Sequence, residues 1–413
     1  MPSDRTAGGG YLRLPRPVWM LGWVSFFTDT ASEMVYPLLP LFLTRVLGAG
    51  AMSLGVIEGV AEAANSALKI VSGRLSDRSG APKPLVLAGY GISSAVRPFI
   101  AVATTWTHVL AVRFTDRLGK GIRGAPRDAM LAVYADESSR GKVYGFHRAM
   151  DHAGAVCGPL LASAFLFFYP EAYRTLFALT IVPGIIVILI LLRVPATRRA
   201  EATAKLEVPS PTAQFPSPNG PPQRRAALPA SFYKAMAVIV LFSLGNASDA
   251  FLLLRFADVG VAAFWIPLLW SAIHVVKSIS SVVGGQWSDR MGRRQVITLG
   301  WTIYAAVYAA FAVSESAPLL IVVFLVYGLY FGLTEGVEKA WVADLAPVAG
   351  RGTAFGIYNA LLGAGSLGAS LLFGFVWTRV SAAAAFYTGA GFAVAAIAML
   401  YVLFPSAERA SGV

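Results

Sequence analysis

Residues 73–83 read GRLSDRSGAPK and residues 285–294 read GQWSDRMGRR, so one short motif occurs twice in the chain. Its two aspartates, Asp77 and Asp289, are 212 residues apart. Two further pairs of segments occur in the same order, and the three pairs together indicate an internal duplication of most of the chain. The other two pairs, at offsets of 211 and 216 residues, are RGKVYG at 140–145 with RGTAFG at 351–356, and ASE at 31–33 with ASD at 247–249.

The composition indicates a membrane protein. Of 413 residues, 56% are hydrophobic and only 14% are charged, which is too little charge to cover the surface of a soluble protein. The formal net charge of +12 does not indicate nucleic-acid binding, because the Lys and Arg residues lie mostly in short segments between apolar runs. The single cysteine, Cys157, excludes an intramolecular disulfide and a cysteine-based zinc site.

Twelve apolar stretches approach the roughly 20 residues that a helix needs to cross a bilayer. Because their apolar residues are continuous rather than alternating, they predict helices and not the strands of a barrel. The sequence therefore predicts an all-α membrane protein with twelve transmembrane helices. The predicted spans are 17–43, 52–75, 84–105, 107–132, 141–169, 172–193, 231–256, 261–287, 295–314, 317–345, 352–377 and 381–404.

A segment rich in Pro, Ala and charge separates the sixth predicted span from the seventh. This composition is typical of a flexible linker, so we predict a six-helix bundle at 1–194, a linker at 195–230 and a second six-helix bundle at 231–413. The segments on the linker's side carry twenty Lys and Arg residues, and the loops on the other side carry three. This asymmetry predicts an inner-membrane protein whose termini and linker are cytoplasmic.

The duplicated motif, written G-x-L-[SA]-D-R-x-G-x-x-[KR], and the layout of six plus six spans resemble the major facilitator superfamily over almost the whole chain. This resemblance implies two pseudo-symmetric bundles that transport a small-molecule substrate across the lipid bilayer by alternating access, as a monomer, with no enzymatic activity and no cofactor. It also implies that the motif clasps the two bundles together at the cytoplasmic face when the outer side is open. The residues of this gate are Gly73, Asp77, Arg78, Lys83, Gly285, Asp289, Arg290 and Arg293.

Two further segments resemble patterns of proton-coupled members of that superfamily. The fourth span contains Arg113 in a segment close to the R-x-x-x-G pattern linked to proton coupling. The fifth span contains Gly154, Gly158 and Pro159 in a pattern close to G-x-x-x-G-P-x-x-G, which is common in proton-driven antiporters, with Ala162 in place of the last glycine. Close packing of two helices is the alternative role of these glycines.

Ionisable residues inside the predicted spans are the sharpest indication of a functional site. Each costs about 2.5–3.5 kcal/mol if it faces lipid at the centre of a helix, so these residues must pair, reach an interface or line a water-filled cavity. Residues four apart share a helical stripe, and acids on spans 1 and 2 are therefore predicted to face a basic stripe on span 4. The candidates for proton coupling and for the cavity are Asp29, Glu33, Glu58, Glu62, Arg113, Asp116 and Asp249.

Two roles remain open for these charges. In the first, Asp29, Glu33 or Asp116 carries a proton, while Arg113 tunes that carrier or holds an anionic group of the substrate. In the second, the charges form a fully paired network that never releases a proton.

A latch is predicted near the cytoplasmic ends of the spans. At the 211-residue offset, Glu338 is the repeat equivalent of Arg127. We hypothesise that Arg123 or Arg127 pairs with Glu335 or Glu338 and closes the path when the outer side is open.

The favoured function is a secondary transporter that exports a small organic solute in exchange for protons. The alternative is a proton-coupled importer of an anionic metabolite or siderophore, which the basic stripe on span 4 supports. No motif of a membrane enzyme is present in the sequence. His147 and His152 are five residues apart and point in different directions, so no metal site is predicted.

Overall fold

The computed structural model describes residues 14–79, 82–134, 140–195, 228–347 and 351–405. All regular structure in these ranges is helical, which confirms the predicted all-α class. The chain forms twelve helical segments over these residues. They are α1 (16–46), α2 (Ala51–Ser79), α3 (Pro82–Val102), α4 (Trp106–Val133), α5 (Arg140–Phe168), α6 (Tyr173–Arg193), α7 (230–258), α8 (Trp265–Met291), α9 (Arg293–Val313), α10 (Ala317–Leu345), α11 (Arg351–Arg379) and α12 (Ala382–Leu403).

Seven of these segments are long and apolar enough to cross a membrane, namely α3, α5, α6 and α9 to α12. The other five carry more charge or are interrupted, and each still overlaps one of the predicted spans. The predicted linker lies outside the described residues except at its two ends, so the division at 1–194, 195–230 and 231–413 stays a prediction.

The first segment is interrupted by two prolines. Its regular helix ends at Val35, because Pro37 and Pro40 lack the N–H groups that would continue the helical hydrogen bonds. A 3-10 turn, a short α turn and a π turn then carry the chain to residue 46. The interruption follows directly after the predicted acids of this span.

The seventh segment is interrupted at the equivalent place in the repeat. Its helices Ala230–Ser243 and Ala250–Asp258 are separated by residues 244–249. The two interruptions meet, because the hydroxyl oxygens of Tyr36 and Ser248 are 3.2 Å apart. Discontinuous helices that meet in the interior are a common way for transporters to build a binding site.

The helices pack as two sets of six. In the first set, α1 packs against α5 and α6, and α4 packs against α2 and α3. In the second set, α10 packs against α8 and α9, and α12 packs against α7, α9 and α11. The sets meet where α2 lies against α11 and where α5 lies against α8. Over the described residues, α4 and α10 do not pack extensively against each other.

The two ends of the molecule differ in how the sets meet. We call the end at which α1 begins and α6 finishes the near end, where Val18, Val143 and Leu191 share a hydrophobic cluster. At the opposite, far end, the Ser163 hydroxyl of α5 donates to the Phe264 carbonyl beside α8 at 2.7 Å. The sets are therefore joined at the far end.

Glycines allow α2 and α11 to approach closely. A Cβ atom at Gly55 would lie against the backbone carbonyl of Ser370, and one at Gly59 would be 2.9 Å from a side-chain carbon of Leu367. Close backbone approach through small residues is the usual basis of helix association in membranes. This contact connects the two sets over much of the length of both helices.

We expect Gly55→Ala to destabilise the protein, because the added methyl meets backbone that cannot move aside; overpacking of this kind costs about 1–3 kcal/mol. The matched control is Gly391→Ala in α12, where a Cβ has open space and alanine favours the helix. Thermal unfolding of the purified variants in detergent checks this. Equal melting temperatures for the two variants would show that α2 and α11 do not depend on this contact.

Candidate functional site

Buried ion pairs connect the helices of the first set. Arg113 Nη2 of α4 lies 2.7 Å from Glu58 Oε1 of α2, and Arg97 Nη2 of α3 lies 2.9 Å from Asp116 Oδ1 of α4. All four side chains are at most 7% exposed. The Arg113 guanidinium also lies over the Tyr36 ring, 5.5 Å from its centroid. Three of the predicted cavity residues are thus engaged in close pairs.

These pairs restrict what their acids can do. Neutralising one partner of a buried pair costs about 3–5 kcal/mol, because the other charge is left uncompensated. Glu58 and Asp116 therefore hold the charges of their arginines as long as the pairs persist. Glu62 is less constrained, since it accepts a single hydrogen bond of 3.2 Å from the Asn65 amide on its own helix.

Asp29 of α1 has a different environment. Among the residues that the structure describes, its carboxylate has neither a hydrogen bond nor an ion pair. Its electrostatic neighbours are the acids Asp151 and Glu33 and the bases Lys120 and Arg123. An interior carboxyl group without a fixed partner can gain and lose a proton without breaking an ion pair.

Glu33 connects the two sets. The Trp270 indole of α8 donates to Glu33 Oε2 at 2.7 Å. Tyr36, one turn further along α1, has its ring centroid 5.0 Å from that of Trp270 and its hydroxyl against Ser248. An ionised acceptor makes a stronger hydrogen bond than a neutral one, so a proton on Glu33 weakens a contact that joins the sets.

Asp249 lies at the interruption of α7 and is fully engaged within the second set. It accepts hydrogen bonds from Lys277 Nζ at 3.2 Å and from the Tyr327 hydroxyl at 2.8 Å. Lys277 Nζ also lies 3.5 Å from the centroid of the Phe331 ring and 5.0 Å from that of Trp270. Asp249 is thus held by close partners, as Glu58 and Asp116 are, whereas, over the described residues, Asp29 is not.

The antiporter-like glycines lie where α5 contacts α1. A Cβ at Gly154 would meet the backbone of Phe26, and one at Gly158 would be 3.1 Å from the Cβ of Glu33. Pro159 follows, buried inside α5. These contacts pack α5 closely against α1 and set the distance between α5 and the acids of α1, while a role of these residues in antiport stays a prediction.

The gate motif is described only in part. Lys83 donates to the backbone carbonyl of Val194 at the end of α6, Arg293 Nε lies 3.0 Å from Asp344 of α10, and Arg290 is exposed. These contacts stay within one set, and the clasp between the sets remains a prediction. The residues whose side-chain surroundings lie outside the description are Gly73, Asp77, Arg78, Gly285 and Asp289.

The latch residues of α4 bond within their own set. Arg123 donates to the Ser93 hydroxyl at 2.7 Å and lies over the Tyr90 ring, 4.4 Å from its centroid. Arg127 pairs with the neighbouring Asp128 at 2.9 Å. Both arginines therefore have partners on α3 or α4 in this structure.

The latch residues of α10 also bond within their own set. Glu335 pairs with Lys339 one turn later at 3.0 Å. Glu338 is buried and accepts hydrogen bonds of 3.3 Å from Trp301 and Tyr358. The latch is not formed in a structure whose far end is joined, and its formation in another state stays a prediction.

Comparison with known proteins decides the family. A model described as Major Facilitator Superfamily matches residues 21–277 and 257–413. The chain belongs to the major facilitator superfamily. It is therefore a multi-pass membrane transporter and not an enzyme, as the duplicated motif predicted, and the two sets of six helices form the transport fold of that superfamily.

Relatives with full-length similarity carry little functional detail. The chain is 31% identical to an uncharacterised MFS-type transporter of Methanocaldococcus jannaschii over 95% of each protein. It is 31% identical to multidrug resistance protein MdtH of Photorhabdus laumondii over only 32% of each protein. Among solved structures, the nucleoside transporter NupG superposes with a TM-score of 0.75 at 14% identity, over 95% of this chain and 100% of that one, which shows a shared fold.

Sequence reasoning missed the aromatic partners of the charges. Trp270, Tyr36 and Tyr327 contact Glu33, Arg113 and Asp249, respectively, yet no motif singled them out. Two signals existed: Tyr36 precedes the helix-breaking Pro37, and Trp270 is seven residues from Lys277 on one stripe of α8.

We expect Glu58→Leu and Arg113→Leu each to destabilise the protein by about 3–5 kcal/mol, because each leaves one buried charge unpaired. The double variant Glu58→Leu/Arg113→Leu should recover much of this loss, since both charges are gone. Thermal unfolding in detergent measures all three. The matched control is Lys339→Ala, which breaks an exposed pair worth at most about 1 kcal/mol. A double variant as unstable as the sum of the singles would contradict the pairing.

Proposed function

We propose that the protein is a proton-coupled secondary transporter of a small organic solute, with Asp29 as the principal proton carrier and Glu33 as the group that links the proton to the contact between the sets. The observation that carries the proposal is the unpaired carboxylate of Asp29, one helical turn from a carboxylate that binds the opposite set. Asp116, an alternative carrier, is disfavoured because Arg97 holds it in a buried pair.

Alternating access supplies the cycle. The far end is joined, and over the residues that the structure describes α4 and α10 do not pack extensively against each other, which supports a near-end-open state. With both termini in the cytoplasm of an inner-membrane protein, as the loop charges predict, the near end faces the cytoplasm. Opening the far end requires the loss of the Glu33–Trp270 hydrogen bond, which protonation of Glu33 favours.

Two directions of transport follow from different observations. Export in exchange for protons is supported by the partial likeness to multidrug resistance protein MdtH and by the glycine pattern of α5. Import together with protons is supported by the basic stripe on α4, which suits an anionic solute. Each direction predicts the opposite sign of proton movement when solute moves down its own gradient.

The sign is measured in proteoliposomes that contain a trapped pH-sensitive dye. An external solute that enters in exchange for a proton makes the lumen more alkaline, whereas a solute that enters with a proton makes it more acidic, whichever way the protein is inserted. We expect at least one of benzenesulfonate, benzyltrimethylammonium and uridine to change the lumenal pH. Liposomes without protein correct for leakage.

Asp29→Asn should abolish this pH change while solute-for-solute exchange persists, because the variant cannot carry the proton. Glu33→Gln should reduce it. The matched control is Asp258→Asn at the far end of α7, an exposed carboxylate that should leave the pH change unaltered. Unchanged proton movement in both Asp29→Asn and Glu33→Gln would refute the assignment.

The latch is tested by exchanging its charges. Arg127→Glu should impair transport of the solute that gives the strongest response, because two acids then face each other when the near end closes. Arg127→Glu/Glu338→Arg should restore part of the rate, since an opposite pair is present again. The same exchange can be made with Arg123 in place of Arg127 and with Glu335 in place of Glu338. If none of these exchanges restores transport, the latch is excluded.

A further inference from the structure

Two cations of α4 have no partner in the part of the chain that the structure describes. Among the described residues, neither the Arg117 guanidinium nor the Lys120 ammonium makes a hydrogen bond or an ion pair, and Arg117 Nε is buried without an acceptor. Their neighbours Arg113 and Arg97 are both engaged in close pairs. A buried donor without an acceptor costs about 1–3 kcal/mol, so the unfilled Arg117 position requires an explanation.

Both cations point toward the space between the sets. Arg113, Arg117 and Lys120 are spaced by four and three residues and share one stripe of α4. Arg113 on that stripe contacts Glu58 and lies over Tyr36, and that tyrosine touches the second set. Because α4 and α10 do not pack extensively against each other over the described ranges, we infer that the stripe opens onto the interior.

The charges around the two cations are also on the interior faces of α1 and α2. The electrostatic neighbours of Arg117 include Glu58, Glu62 and Tyr36. Those of Lys120 include Asp29 and Glu62. Lys120 is nevertheless exposed, and because its neighbours Asp29 and Glu62 are interior groups, we take this exposure to be toward the interior and not toward lipid.

We propose that Arg117 and Lys120 bind the anionic group of the transported solute, and that this solute is a small organic anion such as a carboxylate or sulfonate. The inference rests on the proposed transport function and assigns its substrate class. Two adjacent cationic donors match an oxyanion, which accepts charge-assisted hydrogen bonds from both. Tyr36 is an electrostatic neighbour of Arg117, and its ring lies 5.0 Å from that of Trp270, so an aromatic surface for the apolar part of the solute begins next to the cations.

The site also fixes the sign of coupling. Ionised Asp29 supplies a negative charge beside Lys120, which opposes an incoming anion. A proton on Asp29 removes that charge, so proton and anion each increase the affinity for the other, as linkage requires. The other charges facing Asp29 are Glu33, Asp151 and Arg123. Proton and anion therefore move in the same direction, which selects import of the two directions above.

The experiment measures equilibrium binding to the full chain in nanodiscs of phosphatidylcholine by isothermal titration calorimetry. Benzenesulfonate is the probe, because its charge does not change over the useful pH range, and benzyltrimethylammonium is the matched cation of similar size. We expect benzenesulfonate to bind and the cation not to bind. We also expect the affinity for benzenesulfonate to rise as pH falls, and to stay high at all pH in Asp29→Asn.

Variants assign the binding to the two cations. Arg117→Gln and Lys120→Gln should each weaken benzenesulfonate binding by about tenfold or more, as expected for the loss of a charge-assisted hydrogen bond. Arg117→Lys keeps the charge and should retain part of the affinity. Lys234→Gln removes an exposed charge at the start of α7 and should change nothing. Monodisperse elution of each variant shows that it is folded.

The proposal is overturned if benzenesulfonate does not bind, if the cation binds equally well, or if both glutamine variants keep the full affinity. It is also overturned if added phosphatidylglycerol abolishes benzenesulfonate binding, because the cations would then hold a lipid headgroup. Because no gradient is present, these results are independent of proton movement. If the anion binds but no proton moves, the proposed proton coupling is wrong and the anion site stands. If protons move with a neutral or cationic solute, the proposed coupling stands and the anion site is wrong.

Discussion

A charge inside a membrane protein must have a partner or reach water, and this constraint determines how α4 sits in the first set. The helix carries a stripe of charge that lipid does not accept, so it is enclosed by α2 and α3. Gly89 and Gly119 make this possible: a Cβ at Gly119 would be 3.1 Å from the Ser93 nitrogen. Only at this short distance do Arg97 and Asp116 meet at 2.9 Å. The glycines and the ion pairs therefore depend on one another.

The two interrupted helices convert this static framework into one that can change state. Polar contacts at the far end, among them Glu33 with Trp270, Tyr36 with Ser248 and Ser163 with Phe264, lie beside a hydrophobic cluster that both sets share. A typical hydrogen bond contributes only about 0.5–1.5 kcal/mol net. A population shift of the kind that alternating access requires takes a few kcal/mol. In the proposed cycle a proton and a bound solute act on such a polar contact, whereas the buried pairs of Arg97 and Arg113 are more costly to disrupt.

The sequence was sufficient for the class, the order of the helices and the family, because the apolar runs and the duplicated motif depend only on local composition. It also named the acids of the interior. It could not assign partners: Asp116 pairs with Arg97 of α3, although the stripes suggested only that acids of α1 and α2 face α4. Nor did it distinguish Arg113, which is neutralised by Glu58, from Arg117, which has no partner in the described part of the chain. That distinction depends on helix rotation within a fraction of a turn.

The duplication makes the difference between the sets informative. Glu33 and Asp249 occupy equivalent places in the repeat, each next to an interruption. Asp249 is held by a lysine and a tyrosine of its own set, so its charge belongs to the architecture of the second set. Glu33 reaches across to the other set and has Asp29 one turn before it. The same ancestral position is thus a structural anchor in one half and a connection between halves in the other. The proposed proton coupling needs a carboxylate whose protonation alters a contact between the sets, and of these two acids only Glu33 meets that requirement.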